Sequence, residues 1–169
     1  MNKVFLFGLD NAGKTTLSEF IREEKVLDDP EPTKSFNINS MIIKDLDFII
    51  WDAPGQTKYR GKWGKGVLDT RILTFVLDTS DKERFEEAKR ELDKVLSDSN
   101  TRGAPLIVCF HKMDLEEAKE NFKEARGALK LPLIDERDVH WLKTSVKTGE
   151  GIEKLKDTLV EVVEKTRWG

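Results

Sequence analysis

Gly8-Leu9-Asp10-Asn11-Ala12-Gly13-Lys14-Thr15 decides how the rest of the chain is read. Its pattern is G-x-x-x-x-G-K-T. Before it runs Val4-Phe5-Leu6-Phe7, short and apolar enough for a buried strand, and after it Leu17, Phe20 and Ile21 recur at helical spacing. Strand, glycine-rich turn and helix form the context in which this pattern cradles phosphate. Gly8 and Gly13 lack Cβ atoms, so the backbone can curl around an anion. The amides from Asn11 to Thr16 then face phosphate oxygens, and the positive end of the following helix favours negative charge. Lys14 supplies a point charge to the outer phosphates and Thr15 a hydroxyl for Mg2+. Asp10, Asn11, Ala12, Gly13, Lys14, Thr15 and Thr16 are therefore the candidate phosphate contacts. A turn that only caps a helix is the plainer alternative, but four fixed positions arise by chance in about one chain in a few hundred of this length.

The 169 residues carry 29 basic and 32 acidic side chains, a net charge of −3, with no block of five or more like charges. That balance gives no argument for nucleic acid or for an anionic membrane surface. The length favours one domain spanning 1–169. No apolar run approaches the ~18 residues of a membrane span, and no signal peptide is visible. No lipid anchor is expected either: residue 2 is Asn, and Thr166-Arg167-Trp168-Gly169 is not a prenylation box. The single cysteine, Cys109, lies within Leu106-Ile107-Val108-Cys109-Phe110 and reads as a small core residue. One cysteine forms no intrachain disulfide, which fits a reducing, cytoplasmic setting.

Along the chain, the first helix is expected over about 14–24 and a polar, proline-containing loop from Lys25 to Ser35. Phe36 to Ile43 and Leu46 to Trp51 read as strands joined by Lys44-Asp45, too short a link for anything but an antiparallel hairpin. Ala53 to Gly66 holds four glycines and a proline and reads as a second loop, with a helical turn near 60–68. Further strands are expected at Arg71 to Leu77, Leu106 to Phe110 and Val139 to Leu142. Ser80-Asp81-Lys82-Glu83 has the form of a capping box before a helix that buries Phe85, Ala88, Leu92, Val95 and Leu96. Leu115 to Ala125 and Ile152 to Val163 mark two more amphipathic helices. Alternating apolar strands and helices make an α/β fold: a six-stranded, mostly parallel, doubly wound sheet with one antiparallel edge strand.

Ligands in such sheets bind beyond the carboxyl ends of the strands. Four segments follow strands: the phosphate loop, Asp52-Ala53-Pro54-Gly55-Gln56, His111-Lys112-Met113-Asp114, and Thr144-Ser145-Val146-Lys147. The second is D-x-x-G, with Asp52 able to hold Mg2+ through water. The third is a variant of N-K-x-D and the fourth a variant of S-A-K.

Together these segments resemble the Ras-like small GTPases, and within them the Arf and Rag branches, from about Lys3 to Val163. Gly8 to Thr16 is close to the Arf phosphate loop. Pro32-Thr33-Lys34-Ser35-Phe36-Asn37 looks like the Arf P-T-x-x-F-N switch I, Trp51 to Gln56 looks like W-D-x-G-G-Q, and His111-Lys112-Met113-Asp114-Leu115 looks like the Rag base motif. The resemblance implies a P-loop NTPase G domain that switches between GTP and GDP. Switch loops at about 25–37 and 53–66 would engage effectors, an exchange factor or an activating protein. Asp114 would accept hydrogen bonds from guanine N1–H and N2–H2, which adenine does not offer. The Lys112 stem would lie against the purine, His111 would support the base site, the Val146 backbone would meet O6, and Ser145 and Lys147 would fix the loop. Gln56, the only glutamine in the chain, stands where Ras carries the residue that orients the attacking water. Gly55 would offer its amide to the γ-phosphate, and Thr33 would join Thr15 and Asp52 at Mg2+. Asp114 has a plainer alternative, since Asp114-Leu115-Glu116-Glu117 is itself a capping box.

The chain departs from the family pattern at Pro54, which removes an amide, and at His111, which replaces Asn. Gly66 stands where Arf proteins carry the Tyr of a Phe-Trp-Tyr effector cluster, while Phe36 and Trp51 match it. The chain starts almost at the first strand and has no amphipathic leader and no added dimerisation domain, so a bare G domain is expected. No arginine is assigned as an internal finger; Arg22, Arg60 and Arg71 read as surface or ion-pair residues, and unaided hydrolysis should be slow. A guanine-dependent binding module with negligible turnover is the alternative. A P-loop small-molecule kinase would need ATP preference and an arginine-paired lid, and the sequence shows neither.

Overall fold

The computed structural model describes residues 1–23 and 34–168. Six strands form one sheet: β1 (Asn2–Phe7), β2 (Asn37–Ile43), β3 (Leu46–Asp52), β4 (Ile72–Asp78), β5 (Leu106–His111) and β6 (Val139–Lys143). Their order is β2-β3-β1-β4-β5-β6, parallel except for the β2–β3 hairpin at one edge. Five helices accompany them: α1 (Lys14–Glu23), α2 (Trp63–Gly66), α3 (Phe85–Leu96), α4 (Glu116–Leu129) and α5 (Ile152–Trp168).

The strands record their position in their sequence. β5 is buried at every residue and β4 at all but its last, because helices cover both faces of the sheet centre and leave no polar side. β2 and β3 alternate instead, as an edge hairpin with one wet face does. β1 divides its side chains by the period-two rule. Val4 and Leu6 face a core layer with Leu17 and Ile21 of α1 and Ile152, Leu155, Leu159 and Val162 of α5. Phe5 and Phe7 face the opposite layer with Trp63, Phe85, Leu92 and Leu129. That second layer is aromatic: Phe7 meets Phe75 at 5.1 Å between ring centroids and Trp63 edge-on at 5.7 Å. Each such pair adds roughly 0.5–1.5 kcal/mol beyond the area it buries.

The strand order reverses around β1, whose parallel neighbours β3 and β4 lie on opposite sides. A crevice just beyond the carboxyl ends at such a point is the usual ligand position in a doubly wound sheet. The expected capping box at Ser80 does not form. The Ser80 amide and hydroxyl both donate to Asp78 Oδ1, at 2.9 and 2.6 Å, and α3 begins later at Phe85, because a carboxylate at the end of β4 lies nearer to Ser80 than any free helix amide.

Candidate functional site

The phosphate loop turns from β1 into α1 with Asn11 at φ 63° and Gly13 at φ 98°. Gly13 is required twice over: only glycine adopts that φ without strain, and a Cβ there would lie 2.7 Å from His111 Cδ2. Lys14 is buried, and its ammonium donates to the carbonyls of Gly8 (3.0 Å) and Leu9 (2.9 Å). Burial pulls its pKa down to about 8, against the opposing charges of Asp52 and Asp10. An anion in the loop would give that ammonium the partner burial denies it.

Thr15, at the start of α1, donates its hydroxyl to Asp52 Oδ2 at 2.6 Å. Asp52 is 1% exposed, and its other oxygen, Oδ1, has no hydrogen-bond partner among the described residues. Burial raises its pKa, opposed by the Thr15 hydroxyl, the Lys14 charge and the Asn37 side chain. A buried carboxylate oxygen left open beside a hydroxyl at a phosphate cradle suits a hard cation with oxygen ligands. The described residues hold no group of three or more His, Cys, Asp or Glu side chains placed to bind a metal ion, so such a cation would take its remaining ligands from phosphate and water. Thr33 and most of the 25–37 loop lie outside the described residues.

At the far end of the crevice, Asp114 Oδ1 accepts the Ser145 hydroxyl at 2.8 Å, and Ser145 Oγ accepts the amides of Lys147 (3.1 Å) and Thr148 (3.2 Å). Asp114 caps no helix: the residue preceding α4 is Leu115, without a side-chain cap. Of the two readings of Asp114, the capping box does not form. Lys112, at φ 67°, donates to the Asn11 carbonyl at 2.6 Å and to Asp78 Oδ2 at 2.9 Å, bridging β4, β5 and the phosphate loop. His111 is enclosed between β6 and the phosphate loop. It is 2% exposed, its Nδ1 pairs with Thr144 Oγ1 at 2.8 Å, and its other edge backs onto Gly13. Burial first, and the Lys112 charge second, lower its pKa to about 4, so it is a neutral strut between the phosphate loop and β6. Val146 is buried in the core and Lys147 is exposed.

Between these ends, Ala53 to Gln56 is fastened to the phosphate loop. The Ala53 amide donates to Leu6 O (2.9 Å), Trp63 Nε1 to Pro54 O (2.7 Å), and the Asp10 amide to Gly55 O (3.1 Å). Gly55 packs so closely that a Cβ would lie 2.6 Å from both Asp10 N and Lys14 Nζ. Gln56 is half-buried and makes no side-chain cap to the turn that follows. Arg60, read as a surface or ion-pair residue, is a buried ion-pair residue. Its Nε donates to Gly55 O at 2.7 Å, and its fork faces Glu87 (2.8 Å), Asp10 (3.4 Å) and Glu91 (3.5 Å). A buried guanidinium needs carboxylates around it, and α3 supplies two on one face. Arg84 completes the group through Asp10 (2.7 Å) and Glu87 (3.1 Å). Burial would raise the Asp10 carboxyl, but the Arg84 hydrogen bond and charge outweigh it and hold it below the usual range. Arg84 and Asp78 escaped sequence reasoning; Asp78 ends an apolar strand, the signal that found the other loops.

A solved structure titled as the Arl6 BBS3 small GTPase from Trypanosoma brucei, with bound nucleotide analogue GppNp, superposes with a TM-score of 0.86. It is 25% identical and covers 97% of this chain and 98% of its own. The chain matches the ADP-ribosylation factor family over residues 1–163, and so it belongs to that family, the Arf branch of the Ras-like small GTPases.

Proposed function

We propose that this GTP-binding switch hydrolyses GTP slowly to GDP, as a single cytoplasmic domain over residues 1–169. The observation that carries the guanine assignment is the Asp114 carboxylate, held by the Ser145 hydroxyl at one end of the crevice while the Lys14 cradle stands at the other. Asp114 accepts from the guanine edge, and the Lys112 stem, steadied by Asn11 O and Asp78, flanks the ring. Lys14, the loop amides and the Gly55 amide meet the phosphates. Thr15 and Asp52, joined by Thr33, would hold Mg2+, which neutralises charge on the outer phosphates when bound. Gln56 orients the attacking water; the described arginines near it are engaged with carboxylates, so an activating partner would speed the step. The relative solved with GppNp supports the phosphate end of this assignment. Exposed Ile38, Ile42 and Leu68 beside the switch segments suit protein effectors. Among the described residues no helix is long and apolar enough to cross a membrane. A closer kinship to the Rag branch rests on His111-Lys112-Met113-Asp114 alone.

Phosphate release from GTP-loaded protein over hours tests the proposal. Gln56→Leu should slow release by roughly tenfold or more while GTP affinity holds. Equal turnover in that variant would remove the catalytic role of Gln56. ATP binding as tight as GTP would remove the role of Asp114. Pro54 and the doubly held Gly55 carbonyl favour a second reading, a binding module with negligible turnover, which full retention of GTP in the wild type would select.

A further inference from the structure

We propose that Arg60 is a positioning residue for hydrolysis: it sets the Gly55–Gln56 peptide plane, and through it the direction in which Gln56 enters the crevice. This role rests on Gln56 acting as proposed above.

A peptide unit is planar, so whatever fixes the Gly55 carbonyl also fixes the Gln56 amide and the start of its side chain. Two donors converge on that carbonyl. One is the Asp10 amide of the phosphate loop at 3.1 Å; the other is Arg60 Nε at 2.7 Å. Arg60 lies four residues after Gln56, on the short helical segment Thr57–Lys62, and its side chain folds back to the Gly55 carbonyl. Within the turn, the Gln56 carbonyl accepts the Tyr59 amide at 2.9 Å, so Gln56 is held at both of its peptide units. The guanidinium is a rigid fork. Its remaining donors are directed at Glu87 and Glu91 of α3 and at Asp10, so α3 fixes the fork and the fork fixes the peptide. Arg60 does not reach the reacting atoms as a charge donor, because its charge is committed to three carboxylates.

The network also makes the deletion tolerable. Without Arg60, Asp10 and Glu87 keep Arg84 (2.7 and 3.1 Å), Glu91 keeps Lys94 (3.3 Å), and Gly55 O keeps the Asp10 amide. No carboxylate is stranded, so Arg60→Ala should fold and bind nucleotide.

The experiment is single-turnover hydrolysis by the full chain loaded with GTP, in wild type, Gln56→Leu, Arg60→Ala and the double variant. GDP affinity and amide exchange over residues 55–60 are measured in the GDP-bound proteins. Arg60→Ala should hydrolyse roughly ten- to a hundredfold more slowly, the loss expected when a reacting group is misplaced by about an ångström. GDP affinity should stay within about threefold, and exchange over 55–60 should quicken. In the Gln56→Leu background, removing Arg60 should change the rate by no more than about twofold, since residues acting as a unit are not additive. Arg60→Lys keeps the charge but not the fork; it should fold even where Arg60→Ala does not, and hydrolyse more slowly than wild type. Wild-type rates or unchanged exchange in both Arg60 variants, beside a slow Gln56→Leu, would overturn the positioning role and leave the GTPase intact. An equal loss in both backgrounds would assign Arg60 to the phosphate loop through Asp10 and also overturn it. Wild-type rates in Gln56→Leu would instead remove the proposed catalysis and this role with it.

Discussion

The two ends of the crevice are built by opposite means. At the base end, side chains from the ends of β5 and β6 meet through short hydrogen bonds: His111 to Thr144, Ser145 to Asp114, the Lys147 and Thr148 amides to Ser145. At the switch end, a loop and a short helical segment are held by charge, with Arg60 and Arg84 against Asp10, Glu87 and Glu91. The first rests on strands buried in the sheet; the second ties α3 to a segment with little regular structure. Recognition of one base benefits from a rigid frame. A segment that must respond to a phosphate is better held by partners that can be exchanged: the half-exposed Arg84 pairs contribute only about 1 kcal/mol each, while Arg60 is buried among its carboxylates.

The largest effect should come from the rigid end. Asp114→Ala removes the proposed acceptor for two guanine donors, and hydrogen bonds to a charged group are worth roughly 1.5–3 kcal/mol each. Guanine nucleotide affinity should fall by roughly a hundredfold or more in a displacement titration. The melting temperature of the nucleotide-free protein should hold, since Ser145 keeps its two amide donors. A loss under about tenfold would break the comparison by moving specificity elsewhere.

A smaller effect should appear in the pH dependence of stability. His111 titrates near 4 in the folded chain, against an ordinary value of 6.5, because burial disfavours its charged form. The unfolded chain therefore binds a proton that the folded chain refuses. The His111 contribution is complete above pH 6.5 and is lost as pH falls from 6.5 toward 4, at up to ~1.4 kcal/mol per pH unit. Urea unfolding at pH 7 and pH 5 should show His111→Asn losing ~2 kcal/mol less than wild type over that interval. Parallel pH curves would mean that the base end is not kept neutral by burial.

The smallest effect sharpens the contrast. Glu87→Gln weakens the switch-end network and should lower stability by about 0.5–1 kcal/mol at low salt. In ~1 M NaCl, where screening acts within ~3 Å, the difference should vanish, while the Asp114→Ala defect persists. A salt-independent Glu87→Gln defect would make the two ends alike.

The strand-end rule read the site's outline from sequence, because Asp52, Asp114 and Ser145 each stand just after an apolar run. It was not applied to β4, and so Asp78 was passed over although it follows Leu77 in the same way. Arg60 and Arg84 were illegible for another reason. Arg60 finds its carboxylates 27 to 50 positions away and Arg84 shares Asp10 across 74, although Glu87 is only three residues from Arg84, and a surface arginine and a buried one look identical in a Lys-rich segment. The pattern at Ser80 looked like a helix start because nothing local shows that Asp78 would claim its hydroxyl. The spacing of His111-Lys112-Met113-Asp114 carries no sign of where the His111 ring packs; only the fold shows it standing behind Gly13.

Gly66 has a consequence for how this surface can change over generations. A Cβ at that position would run into the Phe36 ring, which is itself boxed in by Phe5 and Trp51. Residue 66 is therefore not free to drift while Phe36 keeps its seat. A tyrosine there, as in the Phe-Trp-Tyr cluster that other Arf proteins carry, and the present pose of Phe36 are mutually exclusive inheritances. The Phe5 ring would lie 2.9 Å from that Cβ as well, so positions 5, 36 and 66 form one unit of variation, and a library randomised at 66 alone should return glycine.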